Sequence, residues 1–229
     1  MPKNTYLSAE KRHMIIVALA DMHGNTHHLE KIAHDLRAAD VTLLVGDLAT
    51  FRHDAAVEVV EAVRAYNERL LAVPGNCDAP SLGDYLTQEG INLDGRTAVI
   101  DDVAFVGLGG SLPCPIATPN EYSEEELEAT LQRALDDLPS DMPHVLVSHQ
   151  PPFDTTTDLA NAGEHVGSRA VRSAIARLQP LVCFTGHIHE GRGTDSIGNT
   201  RIVNPGPFWQ GTYAYAEIDD GVELLEIRG

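Results

Sequence analysis

Five short apolar stretches in this chain each end at, or within a few residues of, a side chain able to hold a metal ion. Met14-Ile15-Ile16-Val17-Ala18-Leu19-Ala20 runs straight into Asp21-Met22-His23, and Val41–Val45 runs into Gly46-Asp47. Leu70–Val73 is followed by Pro74-Gly75-Asn76, His144–Ser148 by His149, and Leu181–Phe184 by Gly186-His187-Ile188-His189. Nearly continuous apolar runs of this length fit strands covered on both faces. Between the first three, Leu29, Ile32, Ala33 and Leu36, then Ala55, Val59, Val60 and Val63, recur at helical spacing. Strand–helix repetition of this kind argues by itself for a doubly wound α/β arrangement. Ligands of open α/β sheets gather beyond the carboxyl ends of the strands, where these residues fall.

The remainder is less regular. Thr97–Ile100 and Val103–Val106 read as paired strands across Asp101-Asp102, ahead of a glycine-rich loop at Gly107–Ser111. Glu124–Leu138 reads as an acidic helix with Leu127, Leu131, Ala134, Leu135 and Leu138 on one stripe, and a further helix is expected around Arg169–Leu178. Arg201–Asn204, Tyr213–Ile218 and Val222–Ile227 alternate as antiparallel strands do. Residues 1–12 are polar and read as an extension ahead of one domain spanning 13–229, with no internal repeat and no Pro-, Gly- or Ser-rich linker.

Composition narrows the partners. The formal net charge is −18 and the only lysines are Lys3, Lys11 and Lys31, which argues against gripping long nucleic acid backbones. The longest apolar stretch, Met14–Ala20, is too short for a bilayer span and lacks a signal-peptide cleavage pattern. Three cysteines without paired spacing do not form a disulfide framework, so a reducing cytoplasm is the expected location. Nothing here opposes a homo-oligomer.

Taken singly, each cluster has an ordinary explanation. Asp21 and His23 could be a helix cap and a surface residue, Gly46-Asp47 and Gly75-Asn76 are common turn chemistry, and His149 could be a satisfied structural histidine. Gly186-His187-Ile188-His189 is more specific, because two imidazoles on one tight loop suit a ligand pair. Together and in this order, the seven oxygen and nitrogen donors point to a hydrolytic site built on two metals.

The series Asp-x-His, Gly-Asp, Gly-Asn, His, Gly-His-x-His resembles the calcineurin-like metallophosphoesterases. The resemblance extends from about Met14 to the C-terminus and includes the Asn204-Pro205-Gly206 turn. The block from His165-Val166-Gly167-Ser168 through Pro207 is similar to compact single-domain bacterial and archaeal members. It implies an α/β sandwich of two mixed β-sheets flanked by helices. It also implies that Asp21, His23, Asp47 and His189 bind one metal and that Asp47, Asn76, His149 and His187 bind the other, with Asp47 bridging. Asp47, Asn76 and His149 are then the residues closest to the chemistry.

Two divalent ions about 3.5–4 Å apart can share a hydroxide and clamp a phosphate, so a cationic centre persists inside an acidic protein. The donor set suits Mn²⁺ first, with Fe²⁺, Ni²⁺ or Zn²⁺ as other occupants, better than Ca²⁺. The chain departs from many family phosphatases at Cys77, where they carry a histidine after Gly-Asn. Compact members that tolerate cysteine there hydrolyse phosphodiesters, so the expected substrate is a small phosphodiester, or a monoester, of a metabolite or nucleotide. Cys77 itself is expected to be structural, with Arg52, His53, Cys77, His165 and Ser168 as candidate substrate contacts. The competing reading is a catalytically silent binding scaffold on the same fold.

Overall fold

The computed structural model describes residues 13–161 and 163–229; the polar extension at 1–12 lies outside them. In chain order, β1 (Met14–Leu19) leads through a 3-10 turn at Leu29–Ile32 into α1 (Ala33–Ala38), then β2 (Val41–Val45), α2 (His53–Arg64), β3 (Leu70–Val73) and α3 (Leu82–Gln88). β4 (Thr97–Ile100) and β5 (Val103–Leu108) form a hairpin, followed by α4 (Glu124–Asp136), β6 (His144–Ser148), α5 (Arg169–Leu178) and β7 (Val182–Thr185). The chain closes with β8 (Gly193–Ile197), β9 (Thr200–Asn204), β10 (Tyr213–Ile218) and β11 (Val222–Arg228).

The strands divide into two mixed sheets, ordered β11-β10-β1-β2-β3 and β4-β5-β6-β7-β9-β8. β1, β2 and β3 are parallel, while β10 joins β1 antiparallel with Met14 opposite Ile218. β5, β6, β7 and β9 are parallel in the second sheet. The expected α/β sandwich of two mixed sheets is therefore present.

Side-chain alternation sorts the core into three layers. Ile16, Ala18, Leu43, Val45, Leu71 and Val73 pack between the sheets against Phe105, Val145, Val147 and Phe184. Their neighbours Val17, Leu19, Leu44 and Ala72 face the other way, onto Leu36, Val59, Val60, Val63, Leu82 and Leu86 of the helices. On the far side, Val106, Leu146, Cys183 and Ile202 meet Leu127 and Leu131 of α4 and Val171 and Ile175 of α5. This corrects the doubly wound expectation: the inner face of the first sheet is covered by the second sheet and not by helices. An apolar run shows that both faces are buried without showing what buries them.

Three elements differ from the sequence reading. The Leu29–Leu36 stretch splits into a 3-10 turn and a six-residue α-helix. α3 goes unseen because it has only two turns, carries Gly83 and buries only Leu82 and Leu86. β8 is a polar strand, Gly193-Thr194-Asp195-Ser196-Ile197, on the edge of its sheet, where one flank needs no apolar partner.

The start of α4 is secured by a capping box between Ser123 and Glu126. Its Glu124 carboxylate reaches across to accept hydrogen bonds from Ser168 Oγ and from the Arg169 and Ala170 amides at the start of α5. Two helix N-termini, each with unpaired amides and a positive dipole end, thus share one acidic side chain.

Candidate metal centre

The parallel strands release their chains at one edge of the sandwich, and backbone hydrogen bonds fasten the resulting loops together. Asp21 N–H donates to Gly46 O, His23 N–H to Asp47 O, and Gly24 N–H to Leu48 O, zipping the loop after β1 to the loop after β2. Gly186 N–H donates to His149 O, joining the loops after β6 and β7. Close approach explains two glycines. A Cβ on Gly46 would overlap the His149 ring, and one on Gly75 would overlap the Asp47 carboxylate. Asp21, His23, Asp47 and His187 all take positive φ, between 48° and 66°. Asp and His tolerate this region better than most side chains, yet each such residue costs about 1–2 kcal/mol. Strain concentrated on four donor residues is the pattern of a site held in shape by its surroundings.

All seven expected donors converge. Ligand-capable atoms of Asp21, His23 and His189 lie within 4.8 Å of one another, as do those of Asp21, Asp47 and His149. Asp47 divides its carboxylate: Oδ2 is 3.7 Å from His23 Nε2, and Oδ1 is 3.5 Å from His149 Nε2. His189 Nε2 stands 3.6 Å from Asp21 Oδ1. Asn76 Oδ1 lies 3.0 Å from His149 Nε2. The His187 ring centroid is 5.1 Å from that of His149.

The surrounding hydrogen bonds orient these atoms. Val45 O lies 2.9 Å from His149 Nδ1, and a carbonyl only accepts, so Nδ1 carries a proton and Nε2 is the ring nitrogen left facing the centre. Thr118 gives its hydroxyl proton to Glu121 at 2.7 Å and therefore accepts from Asn76 Nδ2 at 3.1 Å. That bond turns Asn76 Oδ1 toward His149. Thr50 Oγ1 lies 3.0 Å from His23 Nδ1, leaving His23 Nε2 on the Asp47 side. Asn76 Oδ1 and Asp47 Oδ1 thus both lie within 3.5 Å of His149 Nε2. A divalent cation satisfies such a convergence, so the residues fit the two-metal expectation.

Protonation favours the same use. Burial pushes Asp21 upward, but the His189 hydrogen bond and the charges of His149, His189 and His23 outweigh it and hold the carboxyl below its ordinary range. Burial, then His149, pushes His187 down to about 3, which keeps its imidazole neutral and able to donate a lone pair.

The candidate substrate contacts separate into two groups. Cys77 belongs to the centre: its amide donates to Asp47 Oδ1 at 2.8 Å, and its thiol accepts from Asn76 Nδ2 at 3.4 Å. Burial, then Asp47, drives that thiol far above its ordinary pKa. Among the described residues, no hydrogen bond or ion pair joins Arg52, His53, His165 or Ser168 to the seven donors. Arg52 is exposed at the residue before α2. His53 is held by Ser81 at 3.0 Å and lies edge-on to Tyr85. His165 Nδ1 pairs with the buried Asp158 carboxylate at 2.7 Å. Ser168 is a correction: it is fully buried, caps α5 through Val171 N–H and donates to Glu124, so its hydroxyl is not offered to substrate.

Two residues beyond the expected set matter. Asp78 is buried and accepts the amides of Leu48 (3.1 Å), Ala49 (2.8 Å) and Gly75 (2.8 Å), tying the loop after Asp47 to the one carrying Asn76. Its place in Gly75-Asn76-Cys77-Asp78 was the available signal. Cys114 Sγ sits 3.7 Å from His187 Nε2 and 3.9 Å from Asn76 Nδ2, and no sequence spacing announces it.

Comparison with known proteins agrees with this geometry. The family model described as the calcineurin-like phosphoesterase superfamily domain matches residues 14–221. An uncharacterized protein of Methanocaldococcus jannaschii, MJ1162, is 37% identical over 202 residues, covering 86% of this chain and 89% of that protein. The crystal structure of TT1561 of Thermus thermophilus superposes with a TM-score of 0.73 at 21% identity, covering 95% of this chain and 99% of the other. That of a dimetal phosphatase from Danio rerio gives 0.59 at 14% identity, covering 94% and 96%. The chain belongs to the calcineurin-like phosphoesterase superfamily, a dimetal-dependent family of hydrolases acting on phosphoester bonds.

Proposed function

We propose that this chain is a dimetal-dependent phosphoesterase that hydrolyses a small phosphodiester, with Mn²⁺ the foremost metal. The observation carrying this reading is the split Asp47 carboxylate, one oxygen toward His23 and the other toward His149, with Asn76 Oδ1 joining the same group of donor atoms. Asp21, His23, Asp47 and His189 would hold one ion, and Asp47, Asn76, His149 and His187 the other. When bound, such a pair supplies a nucleophile from water at neutral pH and neutralises charge on the phosphoryl oxygens.

The chain's own residues do the rest. Backbone strain and the amide of Cys77 fix where Asp47 points. Val45 O and Thr50 select the ring nitrogens of His149 and His23 that face the centre. The Cys77 thiol, held protonated by burial and by Asp47, is a poor proton donor to a departing alkoxide. Leaving-group protonation would then come from water or from another histidine. All seven donor types are present and converge, which weighs against a silent scaffold.

Hydrolysis of bis-p-nitrophenyl phosphate by metal-free and Mn²⁺-loaded protein tests the reading. Activity should require the metal and be lost in both Asp47→Asn and His149→Ala. Native-like turnover in either variant overturns it.

A further inference from the structure

Six large apolar side chains are exposed among the described residues, and three of them belong to segments that carry or neighbour contacts to the donors. Trp209, 42% exposed, lies edge-on to His189 with ring centroids 6.4 Å apart. Phe51, 54% exposed, follows Thr50, the partner of His23, and its own amide donates to Cys77 O at 2.8 Å. Ile116, 79% exposed, sits two residues from Cys114 and two from Thr118, which contact His187 and Asn76 respectively. Each of the three thus lies on, or beside, a loop that contacts the donor cluster.

Phe51 carries a second signal. Its φ is +59°, a left-handed conformation that a bulky aromatic residue rarely adopts. Burial does not compensate, since the ring remains more than half exposed. The hydrogen bond from its amide to Cys77 O ties the strained turn to the loop that carries Asn76. Strain that persists at such a place is characteristic of a ligand clamp.

We propose that Trp209, Phe51 and Ile116 form an apolar rim that selects phosphate esters bearing an aromatic substituent. The inference rests on the phosphoesterase reading and adds the class of ester to it. A phosphoryl group anchored at the buried donors must send its organic arm outward across this rim. Apolar surface grouped at the mouth of a polar pocket is stabilised when an apolar group covers it, and a planar ring does so best against Trp209. A methyl or small polyol arm covers little of it. The acidic surface, at net −18, further disfavours arms carrying extra phosphates.

Trp209 is the one tryptophan in the chain, so its emission reports directly on the rim. The full chain loaded with Zn²⁺ is titrated with phenylphosphonate and methylphosphonate, following Trp209 fluorescence and, in parallel, calorimetric heat. Phenylphosphonate should bind about tenfold more tightly, the gain expected of one ring packed on one aromatic face, and should alter the emission. In Trp209→Ala, read by calorimetry, the two affinities should converge to within about twofold. Equal affinities in the native protein, or a phenyl preference that survives in Trp209→Ala, Phe51→Ala and Ile116→Ala alike, overturn the rim. If the Zn²⁺-loaded protein binds neither phosphonate, the phosphoesterase reading falls first and the rim falls with it.

Discussion

Asp47 owes its orientation to its own loop after β2 and to the loop after β3. Its left-handed backbone follows Gly46, the Cys77 amide holds Oδ1, and the missing Cβ of Gly75 leaves room for the carboxylate. Cys77 therefore acts mainly through its backbone, and Cys77→Ser should keep most phosphodiesterase activity. A fall of about 100-fold, the size of one general acid contribution, would instead make the thiol the proton donor. Asp78 is the less replaceable neighbour. Asn in its place offers one acceptor oxygen to three amide donors and turns an NH₂ toward them. Asp78→Asn should therefore lower stability by about 2–4 kcal/mol, read by denaturant unfolding, and lower activity with it. Gly-Asn-Cys-Asp was visible as a motif, but the role of its last residue was not. Hydrogen bonds to Leu48 and Ala49 span 30 and 29 positions, beyond the reach of local pattern.

At the scale of elements, the apolar strands were legible and most of their partners were not. β1, β2, β3, β6 and β7 announce themselves as apolar runs because both faces are covered, and their ends supply the donors. The C-terminal hairpin depends on a tertiary clamp. Asp35 on α1 accepts from Tyr213 Oη at 2.6 Å and from Arg228 Nη1 at 2.8 Å, tying β10 and β11 to the helix beside β1. Burial pushes the Asp35 carboxyl up, but the Tyr213 and Arg228 hydrogen bonds and the Arg228 charge outweigh it and hold its pKa below the usual carboxylate range. A carboxylate with a depressed folded pKa contributes stability above its unfolded pKa and loses it as pH falls through the folded value. Asp35→Asn should therefore lower the melting temperature at pH 7, and the gap from the native protein should close below about pH 4. A gap that stays constant with pH would show that the clamp does not depend on the Asp35 charge.

At the scale of the whole molecule, a net charge of −18 surrounds a centre whose Asp21 and Asp47 carboxylates are buried together. Two cations would offset that burial, so metal should stabilise the fold as well as serve the proposed chemistry. At a thousandfold excess over Kd, binding contributes about 4 kcal/mol, which corresponds to a melting-temperature rise on the order of 10 °C for a chain of this size. Differential scanning calorimetry with and without EDTA checks this, and an unchanged melting temperature would count against a built metal centre. Across the described residues, no helix is long and apolar enough to cross a membrane.

The seven donors were readable because a residue just past a buried strand has its position set by that strand, and strand periodicity is a local property. The second sheet's cover of the first, the Asp78 bridge and the capping role of Ser168 were settled only in three dimensions. Each depends on contacts between segments far apart in the chain, where packing decides what spacing cannot express.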